Sequence, residues 1–276
     1  MTKIAAIQMA SGTNVSANLI EVSRQILSAT QAGAKLIVLP ENFAFMGMKN
    51  KDQLAICEQD GVGPIQEFLS EQAKKNKVWL VAGTFPLCVN NKEKVYATCL
   101  VIDDQGQRIS RYDKIHLFDV HLSSSSETYH ESETIDAGNQ VVTVDTPFGK
   151  IGLAICYDLR FPELFRKLVM QGTQIIIVPS AFTAVTGQAH WEVLLRARAI
   201  ENLSYVVASG QGGFHVNGRE TYGDSMIVDP WGVILDRLPH GSGYVIADVD
   251  VKNVENIRQS FPALQHRKIS CALPTE

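Results

Sequence analysis

The sequence predicts an α/β fold in which two mixed β-sheets pack face to face with helices outside. Three features point there. About ten or more short strand signals run along the chain, with few helices for a doubly wound sheet. Some strands are joined through helices and others through tight hairpins. The run Leu36-Ile-Val-Leu-Pro40 is apolar throughout, as a strand buried on both faces is.

The elements follow in order. Lys3 to Met9 reads as a strand. Over residues 15–32, Leu19, Val22, Ile26 and Ala29 fall at helical spacing, and Gly33 stops the helix. After the Leu36–Pro40 strand, the pattern predicts a helix from Ile65 to about Asn76 and a strand over Val78–Gly83. Strands Val95–Ile102 and Arg108–His116 flank the turn Asp103-Asp-Gln-Gly106. The polar, aperiodic segment His121–Glu131 reads as a long loop. Strands at 140–146 and 150–156 bracket Pro147-Phe-Gly149. The helix Glu163–Gln171, strand Ile175–Pro179, helix Trp191–Asn202 and strand Tyr205–Ser209 then alternate. A hairpin around Asp229-Pro-Trp-Gly232 and a strand Tyr244–Val249 complete the pattern.

No linker rich in Pro, Gly or Ser interrupts these signals, so the reading is a single domain over 1–276 with a short tail from about residue 263. A net charge of -4 argues against a nucleic-acid or anionic-membrane surface. No apolar run approaches the roughly 20 residues of a membrane span. Five cysteines at irregular spacing, with no CxxC pair, suggest neither a disulfide framework nor a zinc site. Cys57, Cys88, Cys99 and Cys271 are expected to be separate core or surface thiols. The seven histidines show no metal-ligand spacing, and His190 reads as structural. The expectation is a cytoplasmic protein without metal or cofactor.

Three reactive side chains lie at strand ends. Glu41 follows Leu36–Pro40, Lys114 lies in Arg111-Tyr-Asp-Lys-Ile-His116, and Cys156 ends Ile151–Ile155. Strand ends are where such sheets gather groups into one crevice. Each residue alone has a plain structural reading: a core thiol, a capping acid, a solvated lysine. Together they make a coherent set. Cys156 is a nucleophile, and Glu41 is a base whose pKa burial would hold near neutral. Lys114 stabilises the oxyanion, and the backbone N–H of Tyr157 is a second donor to it.

On these residues the chain resembles the nitrilase, or carbon–nitrogen hydrolase, superfamily. Leu-Pro-Glu41, Tyr-Asp-Lys114 and Gly152-Leu-Ala-Ile-Cys156-Tyr-Asp-Leu-Arg-Phe-Pro-Glu163 are similar to its Glu, Lys and Cys motifs. Pro179–Phe182, Thr186–Asn202 and Ser225–Gly232 are similar to further family segments, and the resemblance runs from about residue 3 to 268. It implies a four-layer α-β-β-α sandwich, amide hydrolysis without a cofactor, and a homodimer or higher homo-oligomer. It also implies a second glutamate, Glu131 in Glu-Ser-Glu-Thr134, with Glu133 its near neighbour.

Within the superfamily the branch that looks most similar contains amidases of deaminated glutathione. The resemblance therefore implies a small carboxylate-bearing amide as substrate, cleaved to an α-keto acid and Cys-Gly. The ω-amidase branch, acting on α-ketoglutaramate, is the neighbouring alternative, but it usually has Gly-Ala-Phe-Asn where Ser180-Ala-Phe-Thr183 stands here. A non-catalytic binding homologue is the third reading. Gln188, where relatives often carry proline, and the serines at 122–126 are departures from the pattern. Arg160, four residues after Cys156, is the candidate for the substrate carboxylate. The alternative for it is a salt bridge to Asp158 or Glu163. Phe182 and Thr186 are further contacts by resemblance. Glu192, Arg196, Arg198 and Glu201 read as pairs on a helix surface or interface.

Overall fold

The computed structural model describes residues 1–90, 93–122 and 127–269. Two six-stranded mixed sheets form its centre. In the first, Thr2–Gln8, Leu36–Val38 and Trp79–Cys88 run parallel, and helices Val15–Gln31 and Pro64–Asn76 make the crossovers. Val95–Ile102 and Arg108–Asp113 extend that sheet antiparallel on one side, and Gly243–Val249 closes the other. In the second sheet, Gly149–Leu153, Ile175–Ser180 and Tyr205–Gly210 run parallel through helices Pro162–Met170 and Ala184–Asn202. Thr143–Thr146 lies antiparallel at one edge, and Ser225–Val228 and Ile234–Leu238 lie at the other.

Strand alternation assigns the layers. Ile4, Ala6, Leu36, Val38 and Val81 share one core with Ile151, Ile175, Val207 and Ile227 of the second sheet. Their neighbours Ala5, Ile7, Ile37 and Leu80 face the other way, onto Val22, Ile26, Leu69 and Ala73 of the outer helices. The second sheet is covered in turn by Phe165, Leu168, Trp191, Leu195 and Ala199. The result is four layers, α-β-β-α. Burying side chains of this kind stabilises the fold by about 1.5–3 kcal/mol each, so the apolar inter-sheet layer is a rigid base for the loops at the strand ends.

Several elements differ from the sequence reading. Segment 121–131 is not simply a loop: Asp119–Leu122 pairs antiparallel with Glu127–His130, and residues 123–126 lie outside the described residues. The helix expected from Trp191 begins at Ala184, because the Thr183 side chain caps it by accepting from the Thr186 N–H. Gly187 in its first turns is a poor helix former, but a Cβ there would strike the Tyr222 side chain. A helix not read from the pattern, Val251–Ser260, is capped by Asp250.

Cys57 and Cys88 are joined in a disulfide, not separate thiols. A separation of 31 residues carries no sequence signal for it. The pairing arises because Glu58 and the 86–88 strand end exchange backbone hydrogen bonds, which brings the two Cα atoms to 5.3 Å. Cys99 is buried in the core, and Cys271 lies outside the described residues.

Candidate active site

Glu41, Lys114, Glu131 and Cys156 meet at one end of the sandwich and line a cleft of about 260 Å³. Each arrives by a different route. Glu41 stands three residues past strand Leu36–Val38, and its backbone is locked in place. Gln211 donates to the Glu41 carbonyl (3.0 Å), and the next N–H, that of Asn42, donates to Thr84 Oγ1 (2.8 Å). The Pro40 carbonyl comes so close to Gly83 that a Cβ there would sit 1.8 Å from it. Only glycine permits that approach. Lys114 follows strand Arg108–Asp113 and is held similarly, its carbonyl accepting from the Gly138 N–H (2.8 Å). Cys156 opens the 3₁₀ turn Cys156–Arg160 with φ of 49°, a strained value for a residue with a Cβ.

The charged groups form a compact cluster. Lys114 Nζ donates to Glu41 Oε1 (2.8 Å) and to both Glu131 oxygens (2.8 and 2.9 Å). Glu41 Oε2 accepts from the Ala181 N–H (2.8 Å), and Glu131 Oε2 accepts from the Phe118 N–H (2.6 Å). Cys156 lines the same cleft, close enough for its thiol and Glu41 to influence each other's ionisation. Glu133, the other acid considered, is exposed.

These contacts decide the protonation states. Burial pushes Glu41 upward, but the Lys114 ammonium, its hydrogen bond, the thiol and the Arg219 charge together hold it below the ordinary glutamate value. The sequence expectation that burial would hold Glu41 near neutral is therefore overturned: the ion pair outweighs desolvation. Two unit charges about 4 Å apart attract by roughly 4 kcal/mol at an effective dielectric near 20, comparable with the cost of burying a fully bonded ion. Burial also works against the Lys114 charge, yet Glu131 and Glu41 raise it well above an ordinary lysine. Glu131 is raised, by burial and by the Glu41 charge. Cys156 is raised too, first by burial and then by Glu41. At rest the pair is thus a neutral thiol beside an ionised carboxylate.

The turn after Cys156 is organised by Asp158, which is fully buried. It accepts from the Tyr112 hydroxyl (2.6 Å), the Ile155 N–H (2.8 Å) and the His116 N–H (3.1 Å), and His116 Nδ1 lies 2.6 Å away. The Tyr157 ring packs against Phe118 and Phe161, which orients its backbone at the cleft floor.

Arg160 also faces the cleft. With its lone pairs filled, Asp158 does not pair with Arg160, and neither does Glu163. Instead the guanidinium stands over the Phe182 ring (5.2 Å) and the Tyr157 ring (5.9 Å), with Nη1 3.3 Å from His190 Nδ1. It ends a single 3₁₀ turn rather than opening a helix, so helix polarity adds little there. Phe182 is buried against Trp191 and lines the cleft. Thr186 lines it as well, with Oγ1 2.8 Å from Thr183 Oγ1.

Sequence reasoning missed Asp158 as an organiser, Gln211 as a clamp on Glu41, and Arg219 as a cation in the cleft. No local signal marks them. Each makes its key contacts with residues distant in sequence: Asp158 with Tyr112 and His116, Gln211 with Glu41, Arg219 with Ala181. Arg198, expected to pair on a helix surface or interface, does pair with Glu201 but is buried, donating to the Leu159 carbonyl. Glu192 and Arg196 do pair on the helix surface. Among the described residues no group of three or more His, Cys, Asp or Glu side chains is arranged to hold a metal ion, and no helix is long and apolar enough to cross a membrane.

A thiol, a carboxylate and an ammonium on this four-layer fold define a class. Residues 3–259 match the carbon–nitrogen hydrolase family model, and the chain belongs to that family, within the nitrilase superfamily. A deaminated glutathione amidase of Synechocystis is 45% identical over 269 residues, covering 95% of this chain and 97% of that protein. The human deaminated glutathione amidase is 37% identical, covering 96% and 82%. Among solved structures, the NitFhit protein of C. elegans superposes with a TM-score of 0.89 at 37% identity, over 97% of this chain and 65% of that longer one. Nit3 of Saccharomyces cerevisiae, a member of branch 10 of the nitrilase superfamily, gives 0.85 at 34% identity over 95% and 94%.

Proposed function

We propose that the chain is an amidase that hydrolyses deaminated glutathione, a small amide with a carboxylate at each end, to an α-keto acid and Cys-Gly. The observation that carries the reading is the convergence of Glu41, Lys114 and Cys156 on one cleft, with Lys114 Nζ 2.8 Å from Glu41 Oε1, where Arg160 also lines the wall. The Synechocystis and human proteins named above carry that activity in their names, at 45% and 37% identity over 95% and 96% of this chain.

The chemistry follows from the resting charges. Burial and the Glu41 carboxylate disfavour a free thiolate, so the proton leaves Cys156 for Glu41 as sulfur attacks the amide carbon. The carbonyl oxygen gains charge and is stabilised by Lys114 and the Tyr157 N–H, fixed donors in a site shielded from water. Glu41 returns the proton to the amide nitrogen, the C–N bond breaks, and Cys-Gly departs from a thioester. A water then attacks the thioester, giving its proton to Glu41. The C–S bond breaks, the acid leaves, and Glu41 reprotonates the sulfur. Glu131 keeps Lys114 in place while Glu41 is transiently neutral. Arg160 holds the keto-acid carboxylate, and Phe182 and Thr186 flank the chain between. A cytoplasmic setting accompanies this reading.

Purified protein is incubated with deaminated glutathione and quenched for intact mass. An α-ketoglutaryl adduct on Cys156, absent with Cys156→Ala along with all turnover, supports the proposal. Hydrolysis that persists in Cys156→Ala overturns the mechanism, and a strong preference for α-ketoglutaramate in a rate comparison overturns the substrate.

A further inference from the structure

One cation in the cleft supports the Glu41 charge but has no contact with substrate in the chemistry above. Arg219 follows the turn that joins the paired strands Gly212–Phe214 and Glu220–Tyr222. The turn is rigid: the Arg219 N–H donates to Asn217 Oδ1 (2.9 Å), and Asn217 Nδ2 donates to the Gly47 carbonyl on the cleft rim (2.8 Å). The guanidinium donates through Nη2 to the Ala181 carbonyl and lies over the Tyr129 ring (5.5 Å).

Its charge acts on Glu41, but what it lacks is a carboxylate in direct contact. Arg111, Arg166, Arg198 and Arg237 each meet a carboxylate within the fold. Among the described residues none pairs with Arg219, and its Nε, closed off from solvent, has no hydrogen-bond partner. A guanidinium held partly out of water without an anion is unfavourable, and an arriving carboxylate relieves that. Its position says which carboxylate. Arg219 binds the carbonyl of Ala181, and the N–H of that same residue donates to Glu41. Glu41 must hand its proton to the departing nitrogen, so the leaving group lies on the Glu41 side of the thiol. Arg160 stands among Tyr157, Phe182 and His190 instead.

We propose that Arg219 anchors a carboxylate on the leaving-group side of the amide, so that the cleft selects substrates charged at both ends. This rests on the amidase reading and extends it. Arg160 takes the acyl carboxylate, and Arg219 takes the terminal carboxylate of the dipeptide.

The test compares wild type, Arg219→Gln and Arg219→Lys on deaminated glutathione, its glycinamide analogue with a neutral terminus, and α-ketoglutaramate, whose leaving group is ammonia. The expected result is a fall of roughly 10- to 100-fold in the ratio of kcat/KM for deaminated glutathione to that for α-ketoglutaramate in Arg219→Gln, carried mainly by KM. Arg219→Lys recovers part of it. Wild type loses a similar factor when the terminal carboxylate becomes an amide, and Arg219→Gln is indifferent to that change. An equal loss on all three substrates would make Arg219 a positioning residue acting through the Ala181 peptide, and no loss would remove it from the site. Either outcome overturns the proposal. Should wild type turn over none of the three, the amidase reading itself fails. Arg219 is then judged by calorimetric binding of the acid and glycinamide forms to Cys156→Ala, where equal affinity overturns it.

Discussion

Two buried carboxylates flank the Cys156 turn, and the fold satisfies them in opposite ways. Asp158 is met by fixed dipolar donors, the Tyr112 hydroxyl and two backbone N–H groups, with the His116 ring alongside. Glu41 is met by an ammonium and one N–H, with the Cys156 thiol in the same cleft. A carboxylate filled by rigid donors has no vacancy for a new proton and serves the backbone. A carboxylate beside a protonated thiol has a proton nearby and a cation to keep it ionised until that proton arrives. The same side-chain chemistry, near the same sulfur, thus gives a brace in one place and, in the proposed mechanism, a base in the other.

Exchanging the roles by mutation is the sharpest way to break this comparison. Glu41→Gln keeps the shape and leaves Lys114 paired with Glu131. It is expected to lower kcat by roughly 10²- to 10⁴-fold while the denaturation midpoint moves little. A variant that loses stability as steeply as activity would show that Glu41, too, is a brace. Asp158→Ala is the smaller effect on chemistry and the larger on the fold. It strands the Tyr112 hydroxyl and the Ile155 N–H, so urea unfolding is expected to register a loss of about 2–4 kcal/mol. Activity per folded molecule should fall far less than in Glu41→Gln. Unchanged stability in Asp158→Ala would contradict its role.

Much of the reactive side of the comparison was legible in the sequence, and little of the bracing side was. Glu41, Lys114 and Cys156 each follow a recognisable strand, and strand ends converge in a mixed sheet whatever the details of packing. Glu131 came from resemblance alone, since the paired strands around it do not show in a polar, aperiodic segment. Asp158, Gln211 and Arg219 were opaque because their partners come from other strands and even from the other sheet. Ser11 and Glu41 meet Gln211 only after the two sheets have packed. The Cys57–Cys88 bridge was hidden for the same reason. The charge state of Glu41 was misjudged because burial is visible as an apolar run, whereas the compensating ammonium is visible only in three dimensions.

The central claim is that Cys156 rests as a thiol and gives up its proton only as it attacks. Ultraviolet titration of thiolate absorbance, taken as wild type minus Cys156→Ala, tests this directly. Glu41 is held low and its negative charge holds Cys156 high, so no thiolate signal should appear across neutral pH. In Glu41→Gln that raising charge is gone, and the thiolate should appear at lower pH than in wild type. A thiolate already present near neutral pH in the wild-type protein, or a Glu41→Gln titration displaced upward, would contradict the mechanism.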